Sequence, residues 1–170
     1  MTNLSADPRP LRGPARLPPP LVPLLRRVAL LAIQGSDLAR QQGLDEQALD
    51  ARQAEASARL AEGRTAEAVA ELSWLVMQRP TEARYQFTLA RALQQAGRPA
   101  EAAQQFALGL LFDPEDGWAA LHWGECLDAL GQRDEAVQAW RACLALSARA
   151  TQGGELRRRV QVRLDAADSR

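Results

Sequence analysis

His122 and Cys126 stand four residues apart, a spacing that on a helix puts both on one face within reach of a shared metal ion. Two ligands do not make a site. His122 is the chain's one histidine, and the other cysteine, Cys143, lies well downstream. The simpler reading is a pair of reduced, buried thiols and a packed imidazole. Gly153-Gly154 lacks the lysine and the serine or threonine of a phosphate-cradling loop. Glu67, Glu101 and Glu135 recur near helix starts, where the helix dipole explains an acidic side chain better than acid–base work does. No catalytic residue, metal or cofactor is therefore expected, and the chain is read as no enzyme.

Charge narrows the partners. Arginine supplies all 21 basic residues, against 21 acidic ones, so the net charge is zero. That balance argues against nucleic acid and against an anionic membrane surface as partners. The one basic cluster is Arg157, Arg158, Arg159 and Arg163. A solvated helix face is the plainer account, and contact with an acidic partner the sharper one. The apolar run Val28 to Ile33 is far short of the roughly 20 residues that span a bilayer. Its lead-in Arg26-Arg27 resembles a signal-peptide start, but the run follows seven prolines and is too short. The expected location is cytoplasmic, with no stable membrane insertion.

What remains is recognition of another polypeptide, and the elements that would build it are legible as a repeat. Gly63, Gly97 and Gly131 recur every 34 residues; so do Glu67, Glu101 and Glu135, and Ala68, Ala102 and Ala136. The large sites Leu72, Phe106 and Trp140 and the small sites Ala56, Ala90 and Gly124 keep the same register, and Pro80 and Pro114 keep it twice. A 34-residue period with these columns is the signature of tetratricopeptide helix pairs. Each glycine ends a first helix in the left-handed conformation. The small sites let two helices approach, and the large site fills the gap to the next pair. Pro99 falls at a helix start, where proline is tolerated.

The expected fold is all-α, a superhelix of three helix pairs with a helix before it and a capping helix after it. The pattern places helices at 46–61, 65–78, 82–96, 99–112, 117–130, 133–147 and about 155–167. Seven of the ten prolines lie between Pro8 and Pro23, so 1–22 reads as an extended or disordered tail. Residues 23–44 form an N-terminal helical segment, 45–148 the three repeats, and 149–170 the cap and tail. Leu156, Val160 and Leu164 would seat that cap on the open end of the stack.

In such stacks the first helix of each pair lines a concave surface. Its inward positions here are Gln53, Ser57 and Leu60 in the first repeat. In the second they are Arg84, Phe87, Arg91, Gln94 and Gln95, and in the third Trp118, Leu121, Glu125 and Asp128. Apolar anchors interleaved with arginine and amide groups suit an extended peptide, whose side chains take the anchors and whose backbone bonds the polar groups. Phe87 and Leu121 could instead pack between helices. Trp118, beside Gly117 at a helix start, is harder to place in a core.

Three stretches carry a resemblance to a family. Leu31 to Ala39 followed by Gly43-Leu44-Asp45, then Arg84-Tyr85-Gln86-Phe87-Thr88-Leu89-Ala90, then Leu121-His122-Trp123-Gly124-Glu125-Cys126-Leu127 resemble the tetratricopeptide chaperones of type III secretion translocators. The likeness runs from about Leu30 to Ser147. The last stretch, which the generic repeat lacks, weighs most. The family's first repeat usually bears tyrosines, where this chain reads Asp50-Ala51-Arg52-Gln53-Ala54-Glu55-Ala56, so its first pocket must differ.

The resemblance implies a cytosolic chaperone that binds an extended segment of a secreted, hydrophobic translocator. The alternative is a generic repeat scaffold joining proteins in another bacterial assembly. It also implies a homodimer, for which Leu25, Val28, Leu31 and Ala32 form the candidate stripe. Family cargo carries a Pro-x-Leu-x-x-Pro-like motif, and Pro19-Pro20-Leu21-Val22-Pro23-Leu24 nearly matches it, so the tail could occupy a groove until cargo displaces it.

Overall fold

The computed structural model describes residues 38–147 and 153–169. A short helical turn, α1 (Leu38–Gln41), leads into α2 (Glu46–Ala61), α3 (Thr65–Gln78), α4 (Ala83–Gln95), α5 (Pro99–Phe112), α6 (Gly117–Ala129), α7 (Arg133–Ser147) and α8 (Gly153–Asp168). No strand occurs among the described residues. The expected all-α architecture of three helix pairs and a cap is the one observed, with boundaries within about two residues. The 1–22 tail and the Leu25, Val28, Leu31 and Ala32 stripe lie outside the described residues.

Local chemistry sets the helix ends. Asp45 and Asp116 each accept a backbone N–H three residues on, from Ala48 at 2.7 Å and Ala119 at 2.8 Å, satisfying otherwise orphaned donors. Gly63, Gly97 and Gly131 take φ of 80°, 71° and 76°, the left-handed turn that joins each pair. Behind two of these turns an arginine stands at the N-cap position, with no side-chain bond to the helix backbone, and pairs forward. Arg64 reaches Glu67 at 2.6 Å, and Arg98 reaches Glu101 at 2.5 Å. The glutamate column thus serves helix starts, as its position suggests.

The repeat columns become the core. Ala56, Ala90, Ala68, Ala102 and Ala136 are buried, as are Leu72, Phe106 and Trp140. Each large side chain contributes roughly 2–3 kcal/mol by burial. Gly124 shows why its column is small: a Cβ there would lie 2.4 Å from Nε1 of Trp140. That indole instead donates to the Leu121 carbonyl at 3.2 Å.

Successive helices pack on one another along the whole stack. Beyond the short α1, next-neighbour contacts among the described residues join only α2 with α4, α4 with α6 and α6 with α8. Helices on the inside of a curved stack are the ones that approach across a pair, so this row forms the concave side. The last helix, α8, takes the place that the first helix of a fourth pair would occupy.

Candidate peptide-binding groove

The row α2, α4, α6 and α8 carries the expected inward positions, and hydrogen bonds run across it. Gln53 Nε2 donates to Thr88 Oγ1 at 3.1 Å, tying α2 to α4. Ser57, on the exposed side of α2, bonds back to the Gln53 carbonyl at 2.8 Å. Leu60 is half-buried against the core. Arg84 holds Asp50 at 2.6 Å and lies near Glu46 and Glu82, each at 3.5 Å. Phe87 is half-buried, its ring laid over Gly109 of α5, where a Cβ would come within 2.2 Å of it. Gln95 is exposed and Asp128 half-buried.

The far end is more elaborate. Arg91 Nη1 meets Gln94 Oε1 at 2.7 Å and His122 Nδ1 at 3.2 Å. His122 Nδ1 also lies 2.9 Å from Glu125 Oε2, and Gln94 Nε2 donates to the same oxygen at 3.4 Å. Arg163 of α8 closes the network on Glu125 Oε1 at 2.6 Å. Burial alone would raise the Glu125 pKa, but the hydrogen bonds from His122 and Arg163 outweigh it and hold the carboxyl at about 2. Trp118, 41% exposed, stacks near His122 and lies under the Arg159 guanidinium.

One expectation needs correction. Leu121 does not face the groove: it is 1% exposed and packs with Trp140, Leu156 and Val160. The cap helix draws that side of α6 into its own core, and Gly117 makes room for it, since a Cβ there would lie 2.6 Å from Leu156. The basic cluster forms a solvated face, as expected. All four are exposed, and Arg159 and Arg163 also reach Trp118 and Glu125.

The sequence reading also left His122 out of the groove, although it links Arg91 to Glu125. A signal for Arg159 existed. Ser57, Arg91 and Glu125 are one column of the 34-residue register, and the next step of 34 lands on Arg159.

Burial pushes the Cys126 thiol up to about 12 and Cys143 to about 11, away from reactive thiolate. Among the described residues no cluster of metal-ligating side chains occurs, and no helix is long and apolar enough to cross a membrane. The groove offers half-exposed rings and fixed polar groups along one row of helices, a surface for an extended chain.

Known proteins share this stack. A type III secretion complex from Aeromonas hydrophila aligns over 85% of this chain and 96% of its own, with a TM-score of 0.78 and 21% identity. The Yersinia enterocolitica translocator chaperone SycD aligns over 75% and 96%, at 0.71 and 22%. PcrH of Pseudomonas aeruginosa, in complex with the chaperone binding region of PopD, aligns over 75% and 96%, at 0.72 and 27%. The likeness to the tetratricopeptide chaperones of type III secretion translocators, read from three short stretches of sequence, therefore extends to the whole helical stack. A family profile described as bacterial transcriptional activator domain matches residues 27–110, just under half of the chain. No curated protein matches by sequence.

Proposed function

We propose that this chain is a cytoplasmic export chaperone, without enzymatic activity, that holds an extended segment of a hydrophobic translocator in the groove along α2, α4, α6 and α8. One observation carries this reading. The concave row presents Phe87 and Trp118 amid fixed polar groups, on a stack shared with PcrH, which is seen with the chaperone binding regions of PopD and PopB. SycD, likewise, is seen with a peptide of the translocator YopD. A hydrophobic segment shielded in this way is kept from aggregating before export.

The test is co-expression of the full chain with candidate hydrophobic translocators. A soluble, stoichiometric complex is expected, lost in the Phe87→Ala, Trp118→Ala double variant. A translocator whose solubility is the same with and without the chain overturns the proposal. SycD's alternative dimer supports self-association, for which the sequence offers the stripe of Leu25, Val28, Leu31 and Ala32. Light scattering of Val28→Asp, Leu31→Asp should then report a monomer; an unaltered mass refutes it.

The activator-domain match favours a second reading, a repeat scaffold in a regulatory assembly. It stops at Leu110, before Trp118, His122 and the α8 arginines. Capture of regulatory proteins in place of translocators by the full chain would decide for it.

A further inference from the structure

We propose that the end of the groove formed by Arg91, Trp118, His122 and the α8 residues Arg159 and Arg163 is a subsite for an acidic side chain of the bound segment, next to an apolar residue seated on Trp118. This deepens the peptide-holding reading above and rests on it.

Three observations converge. Arg91 is half-buried on the concave row, and among the described residues no carboxylate pairs with it; it donates to the Gln94 amide oxygen at 2.7 Å, and the His122 Nδ1 lying 3.2 Å away is the atom that bonds Glu125. A guanidinium whose acceptor is an amide oxygen keeps unspent capacity for a carboxylate, and its fork suits both oxygens of one.

The second observation is the placement of α8. Leu156 seats it on Gly117, and Val160 is buried behind, so Arg159 and Arg163 are delivered to the groove by a packed helix. Arg163 is engaged by Glu125, and Arg159 pairs with Glu155 at 3.0 Å. Glu155 also lies 3.6 Å from Arg158, so the guanidiniums of Arg91, Arg158, Arg159 and Arg163 outnumber the paired carboxylates Glu125 and Glu155 in a chain whose net charge is zero.

Third, the opposite part of the groove has the reverse bias. There the three carboxylates Glu46, Asp50 and Glu82 gather around two guanidiniums, Arg84 and Arg79. Such a gradient fixes the direction in which an extended segment lies, because reversing it brings like charges together.

The probe is a set of immobilised leucine- and proline-rich peptides carrying Asp, Asn or Lys at each position in turn, applied to the full chain. One position should favour Asp over Asn by about tenfold and disfavour Lys, as a charge-assisted pair in a half-buried groove does. The preference should shrink as salt rises from about 0.05 M to about 0.5 M. Arg91→Gln should abolish the Asp preference while leaving apolar selection, and Arg91→Lys should retain part of it. Thermal melts of both variants establish that they fold. Binding with apolar selection but no position favouring Asp overturns this inference alone. An Asp preference that survives Arg91→Gln in a folded variant also overturns it. Binding to none of the peptides overturns the peptide-holding reading as well.

Discussion

The Arg159 guanidinium sits 5.2 Å from the centre of the Trp118 ring, and the two residues come from different helices, α8 and α6. The contact joins the cap to the groove, so the cap does more than close the stack. Both partners remain well exposed, which limits the attraction to about 0.5–1 kcal/mol. Arg159→Ala should therefore leave the urea midpoint nearly unchanged, with a stability loss under about 1 kcal/mol. A loss of several kcal/mol would mean that α8 is held mainly by this contact and not by Leu156 and Val160.

Gly124→Ala tests the close approach of α6 and α7. Alanine is the better helix former by up to about 1 kcal/mol, but its Cβ would meet the buried Trp140 indole at 2.4 Å. Overpacking of this kind costs about 1–3 kcal/mol. A net destabilisation is expected in denaturant melts, whereas a gain in stability would show that the indole moves aside freely.

The Glu125 network gives the fold a dependence on acid. The carboxyl's pKa is lower folded than unfolded, so its stabilisation is complete above the ordinary value near 4.5 and is lost as pH falls toward about 2. That shift corresponds to an upper bound on the order of 3 kcal/mol. Melting temperatures measured from pH 6 to pH 3 should fall more steeply for the natural chain than for Glu125→Gln. Parallel curves would contradict the assignment.

The cysteines should be inert in the folded state. With both thiols buried and their pKa values raised to about 12 and 11, an aromatic disulfide reagent at pH 8 should label neither until denaturant is added. Rapid labelling of the native chain would place one of them at the surface.

Much of this was legible in the sequence because a fixed period repeats one packing problem. The glycine column foretold the left-handed turns at Gly63, Gly97 and Gly131, and the large and small columns foretold the core. Leu121 was misread because its burial depends on Leu156 and Val160, which arrive from a helix outside the three counted repeats. Arg159 was missed because the glycine column fails where the register continues, at Asp165, so α8 did not read as a fourth first helix. Cross-helix bonds such as Gln53 to Thr88 depend on how far one pair rotates against the next, which no local pattern encodes.

The central claim is that the inner row of helices holds cargo. Amide hydrogen exchange on the full chain, alone and in complex with its co-expressed translocator, tests it most directly. The account predicts added protection concentrated in α2, α4, α6 and α8, strongest around Phe87 and Trp118. Protection confined to α3, α5 and α7, with the inner row unchanged, would contradict it.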